Sequence, residues 1–189
     1  VGSEMCIRDR YIEDANQFKV LIEATQELLD KDFIEALHDI SDGGLITSLI
    51  EMALCSNQGL DINLDYSDKE QVVPKLFSEE IGLVIEVKNE KLESVRNYLN
   101  EKELFFENIA KKNDKKKINI NCFKEEVFSE DLITLFNQWS KVSHEIQKIR
   151  DSEVAALSEK EAYENFDKFL TPFVFLIYLL SIENLNFLL

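Results

Sequence analysis

A short apolar run, Phe33 to Leu37, passes without a linker into the polar string His38-Asp39-Ile40-Ser41-Asp42-Gly43-Gly44. That string passes just as abruptly into Leu45, Ile46, Leu49, Ile50, Ala53 and Leu54, apolar residues at helical spacing. The apolar run reads as a buried strand, the polar string as a turn, and the third stretch as a helix that starts at the glycines. A strand joined to a helix by so tight a turn is a building step of a layered fold, in which helices cover a sheet.

The alternation continues on both sides. Phe18, Leu21, Ile22, Thr25, Leu28 and Leu29 predict an amphipathic helix over 14–30. Gly59 punctuates the end of the second helix, and Leu60, Ile62 and Leu64 alternate as a half-buried strand. Residues 69–79 read as helical, with Pro74 marking a break or a first turn. A strand at Ile81–Val87, a helix through Leu92, Val95 and Leu99, and a strand at Leu104–Ala110 follow. Lys111 to Lys117 reads as a charged turn, with Lys115 to Lys117 as a solvated hairpin tip before a strand through Ile118, Ile120 and Cys122. The expected fold is α+β, layered, with a mixed sheet flanked by helices and filling residues 11–128. Ser129, with Glu130 and Asp131 behind it, reads as a helix N-cap. Leu132, Leu135, Phe136, Trp139, Val142, Ile146 and Ile149 then form one stripe, which predicts a long amphipathic helix within 129–165 with Trp139 as a core anchor.

Charge narrows the function classes. With 21 Lys and Arg against 37 Asp and Glu, the formal charge is -16, a field that repels nucleic acid and anionic membranes. No nucleic-acid or membrane partner is expected, and any phosphate site must rely on metal ions, helix N-termini or other polypeptide. Cys6, Cys55 and Cys122 are scattered and odd in number, with two histidines to assist them. That argues against a disulfide framework or a zinc site and for buried free thiols in a reducing cytoplasm. Val1–Arg10 has neither a signal peptide's apolar core nor helical periodicity. It resembles adapter-derived, non-native sequence and is set aside. Residues 166–189 form a separate tail. Its apolar stretch, Phe169 to Leu180, is too short and too interrupted by Thr171-Pro172 for a membrane helix, and reads as a frame-shifted linker or a strand awaiting its partner.

The turn carries the chemistry. Glycines allow close backbone approach, a helix N-terminus offers N–H groups and a favourable dipole, and a serine hydroxyl donates to a phosphate oxygen. An aspartate at a strand end holds Mg²⁺, which bridges to phosphates, while His38 adds a hydrogen bond or fixes the turn. A turn and N-cap with no ligand explains the isolated motif about equally well. Glu79 and Glu80 point opposite ways on an extended chain and read as a structural lead-in to a strand, not as an acid–base pair. His144 reads as a surface or packing residue.

His38-Asp39-Ile40-Ser41-Asp42-Gly43-Gly44-Leu45 resembles the signature of the formylglycinamidine ribonucleotide synthase family, in its second aminoimidazole-ribonucleotide-synthetase-like C-terminal domain. Glu51-Met52-Ala53, Phe77-Ser78-Glu79-Glu80-Ile81-Gly82, Trp139 and Gln147-Lys148-Ile149-Arg150-Asp151 match later motifs in order and spacing, so the resemblance covers about 16–165. It implies part of a large single-chain, glutamine-dependent C–N ligase. The intact enzyme uses ATP to activate the amide oxygen of formylglycinamide ribonucleotide, and ammonia from a glutaminase site displaces the phosphate. Carried over by position, Asp39 is a Mg²⁺ ligand and Ser41 an ATP or ADP contact in an auxiliary site. No catalytic residue is implied, and an upstream synthetase half and a downstream glutaminase domain are the expected partners. The family's Asp-Pro-Gly turn is not recognisable near Asp167. Two alternatives stand beside this: a synthetase or kinase of the same superfamily, such as the thiamine-phosphate or selenophosphate type, and a non-catalytic nucleotide-binding or interaction module.

Overall fold

The computed structural model describes residues 15–64, 71–123, 125–164 and 175–181. They fall into two compact units, one from 1–48, 73–109 and 176–189, the other from 49–72 and 110–175. The architecture is the expected mixed α+β one. The segments read as non-native sequence at 1–10 and as tail at 166–174 and 182–189 lie outside the described residues.

In the first unit α1 (Ala15–Asp30) is followed by β1 (Ala36–Asp39), and α2 (Gly44–Ser56) begins at the glycines. After α3 (Val72–Phe77) come β3 (Gly82–Lys88), α4 (Leu92–Glu101) and β4 (Phe105–Asn113), which starts in this unit. β7 (Phe175–Ser181) gives part of the apolar tail a place as a strand, and the order is β1-β3-β7-β4. Leu21, Ala24 and Leu28 of α1 and Val95 and Leu99 of α4 close over Ile85 and Val87 of β3 in one core.

The first strand lies three residues later than expected. Asp32, at φ 55°, ends α1 in a left-handed turn, with the Asp32 N–H donating to Leu29 O and the Phe33 N–H to Leu28 O. This Schellman arrangement spends Phe33 on closing the helix and leaves Ile34 buried in the core. The ladder therefore starts at Glu35, whose N–H donates to Glu86 O, and β1 is a half-buried strand at the end of the order. The same device ends α2 at Asn57 and α4 at Glu103. Gly59 thus does not end the helix; it is the first residue of the next strand.

In the second unit β2 (Gly59–Leu64) runs between the end of β4 and β5 (Lys117–Cys122), antiparallel to one and parallel to the other. Lys111, Lys112 and Asn113 belong to β4, so the charged turn is shorter than expected and is no hairpin tip, because β4 and β5 flank β2. A Cβ on Gly59 would collide with the Asn113 side chain and would lie 2.5 Å from the Lys117 backbone, so only glycine fits beneath this crossing. Leu60, Ile62 and Leu64 stand beside Ile118, Ile120 and Cys122 in register, and all six are buried. On the opposite face Asp61 Oδ1 accepts from Asn113 Nδ2 (2.9 Å) and Asn119 Nδ2 (2.7 Å).

β6 (Glu125–Asp131) pairs with β5 and takes up Ser129, whose hydroxyl donates to Asn119 Oδ1 across the ladder. The expected cap at Ser129 is corrected: α5 (Leu132–Trp139) starts after Asp131, without a side-chain cap bond. The long amphipathic helix continues as α6 (Lys141–Arg150), with Ser140 between them in helical dihedrals and its hydroxyl bonded back to Phe136 O, a local competitor of the helical ladder. Trp139 is not a core anchor. It is 56% exposed, and its Nε1 donates to Glu51 Oε1 at 2.9 Å. α7 (Glu153–Glu164) returns Tyr163 to stack on Phe136, with ring centroids 3.7 Å apart, and its hydroxyl donates to Leu54 O. Burial pushes the Tyr163 hydroxyl pKa up to about 12. Cys122 is buried as expected, whereas Cys55 is exposed. Among the described residues no helix is long and apolar enough to cross a membrane.

Candidate functional site

The β1–α2 turn is held from both sides. His38 Nδ1 donates to Asp39 O at 2.6 Å, and the Ser48 hydroxyl, from the first turns of α2, donates to the same carbonyl at 2.8 Å. The chain then reverses through Gly43 and Gly44, at φ 87° and 74°, and the Gly44 N–H donates to Ser41 O at 2.9 Å. These left-handed angles suit glycine. The Thr47 hydroxyl donates to Gly43 O in the first turn of the helix. The alternation of β1 turns His38 inward and leaves the Asp39 side chain 69% exposed, while Ser41 is half-buried.

A second segment completes the turn. β1 pairs antiparallel with β3, Asp39 opposite Leu83, which brings the residues before β3 beside those that follow β1. Glu79 Oε1 accepts the Gly43 N–H at 2.9 Å across 36 positions of sequence. A Cβ on Gly44 would lie 2.6 Å from the Phe77 carbonyl carbon and 2.8 Å from Ser78 O. The second glycine therefore answers to the backbone of its own chain. The N–H groups of Gly44 and Gly43 already have acceptors, Ser41 O and Glu79 Oε1.

The sequence profile of the family described as AIR synthase related protein, C-terminal domain, matches residues 4–122. The chain belongs to that family. It is 35% identical over 135 residues to the phosphoribosylformylglycinamidine synthase of Saccharomyces cerevisiae, a match covering 68% of this chain and 10% of that protein. It is 30% identical over 150 residues to the "Probable phosphoribosylformylglycinamidine synthase, chloroplastic/mitochondrial" of Arabidopsis thaliana, covering 79% and 11%. The chain thus spans about a tenth of the length of these relatives. In fold it is similar to Thermotoga maritima PurL complexed with ATP, at TM-score 0.54 and 20% identity, over 60% of this chain and 20% of that one. The Thermotoga maritima PurLQS structure gives 0.55, 20%, 60% and 20%.

Asp39 closes β1, and Ser41 lies two residues on, in the turn that leads to α2. His38 serves the turn through the Asp39 backbone. Glu79, read from sequence as a lead-in, belongs to the site. Its signal was the Phe77-Ser78-Glu79-Glu80 motif, but only the β1–β3 pairing shows that it reaches Gly43. Among the described residues no group of three His, Cys, Asp or Glu side chains is arranged to hold a metal.

Proposed function

We propose that this chain is a segment of a phosphoribosylformylglycinamidine synthase, in which it supplies an auxiliary Mg²⁺–nucleotide site and a scaffold. The observation that carries the reading is the 35% identity to the yeast enzyme over 135 residues; the glycine turn at the start of α2 agrees with it. In the whole enzyme the substrates are formylglycinamide ribonucleotide, ATP and glutamine, and the partners are an upstream synthetase half and a glutaminase domain of the same cytoplasmic polypeptide. Asp39 would hold Mg²⁺, which offsets phosphate charge when bound. Ser41 would contact the nucleotide. His38 and Ser48 hold the Asp39 carbonyl and so the direction of the turn, and α2 contributes the positive end of its dipole.

The test is thermal unfolding with and without Mg²⁺ and ADP. A ligand at one hundred times its dissociation constant stabilises by about 2.7 kcal/mol, a shift of several degrees that Asp39→Ala should abolish. No shift in the wild type, or an equal shift in Asp39→Ala, would count against the site.

A further inference from the structure

We propose that the gap between β3 and β4 is an acceptor site for an extended apolar strand, and that β7 occupies it reversibly in this chain. β3 and β4 are consecutive strands joined through α4, yet β7 stands between them in the order β1-β3-β7-β4. Both walls of the gap have partners of their own. β3 pairs with β1 on its other edge and packs through Ile85 and Val87 against α1 and α4, while β4 pairs with β2. The Ile40 N–H donates to Gly82 O and the Glu35 N–H to Glu86 O, so the backbone groups of Gly82, Val84 and Glu86 face β1. By alternation those of Leu83, Ile85 and Val87 face the gap. Val84 to Val87 are buried at four consecutive positions, where backbone groups left without partners are costly. Phe175 to Leu180 is an unbroken apolar run, the composition of a strand covered on both faces. A strand entering the gap meets the walls through main-chain hydrogen bonds, which any extended segment can supply. β7 is also a late arrival, since it follows α7 and lies outside the family match, which ends at residue 122. The gap therefore takes an extended, uncharged, apolar segment of about the 7 residues of β7, of the kind that another part of a longer polypeptide can present.

The test reads backbone amide exchange in the full chain by NMR. In the wild type the amides of Leu83, Ile85 and Val87 should exchange roughly tenfold or more faster than those of Val84 and Glu86, because β7 leaves while the β1–β3 pair stays closed. Equal rates for the two sets mean that gap and sheet open only together, and overturn the proposal. Ile177→Pro removes a ladder donor from β7 at full chain length. It should strip protection from Leu83, Ile85 and Val87 and spare Val84 and Glu86. A synthetic peptide of residues 175–181, with lysines added at both ends, should restore that protection, and the same peptide carrying Ile177→Pro should not. Restoration by both peptides, or by neither, overturns strand pairing as the mode of binding. If Ile177→Pro lowers the protection of all five amides alike, the gap does not exist without β7 and the acceptor site falls. Protection of Leu83, Ile85 and Val87 that rises with wild-type concentration assigns the strand to a second copy and overturns its placement in the same chain.

Discussion

A side chain at position 44 would have to enter the backbone of Phe77 and Ser78 while holding φ at 74°. Both penalties fall on Gly44→Ala, which should cost roughly 2–4 kcal/mol of stability; a urea midpoint unchanged from wild type would show that the 77–79 segment does not lie against the turn. Glu27 supports a prediction about acid. The nearby Tyr98 hydroxyl, outside strict hydrogen-bond geometry, and then Lys102 at 3.1 Å hold the Glu27 carboxyl down from 4.5 to about 2. A carboxyl whose folded pKa is depressed contributes stability that is complete above its ordinary value and lost as pH falls towards the folded one. Wild type should therefore exceed Glu27→Gln in stability at neutral pH, with the difference shrinking between pH 4.5 and about 2; a difference independent of pH would rule this out. Asp39 and Ser41 could be singled out from the sequence because one short motif carries both, and their roles as metal ligand and nucleotide contact are the proposal. Glu79 was not, since its role depends on which strand pairs with β1.

Helices and strands were legible at the level of elements wherever apolar spacing was strong, as in α1, α2, α4 and β2. Their ends were not. Asp32, Asn57 and Glu103 all take the left-handed conformation that closes a helix, with φ of 50–55°, a place where sequence reasoning looks for glycine. Because such a conformation strains an L-residue, Glu103→Gly should stabilise the chain by about 0.5–1 kcal/mol, and a fall in the denaturation midpoint would contradict the assignment of the cap. Ser129 looked like a cap because Ser-Glu-Asp suits a helix start, but its pairing with Asn119 places it in a strand. The helical stripe after Asp131 was read correctly as a pattern, and Leu132 and Leu135 are buried, but Trp139, read as a core anchor, is exposed. Spacing shows which residues share a face and not whether anything covers it.

For the whole molecule, composition argued against polyanion partners, while family membership came from motifs in register. Trp139, Val142, Ile146 and Ile149 keep an apolar stripe largely open among the described residues, with Ile149 89% exposed. An exposed stripe of this kind is in keeping with a segment that works inside a larger polypeptide. The purified 189-residue chain should accordingly show no synthase turnover with formylglycinamide ribonucleotide, ATP and glutamine, and measurable product would refute the view that chemistry happens elsewhere in the enzyme. The most direct measurement is the size of the native polypeptide that carries this segment, taken by immunoblot of the source cells with an antibody raised against residues 15–64. The proposed function predicts a band several times heavier than 22.0 kDa. A native product of 22.0 kDa would contradict it and leave a stand-alone binding module of shared ancestry.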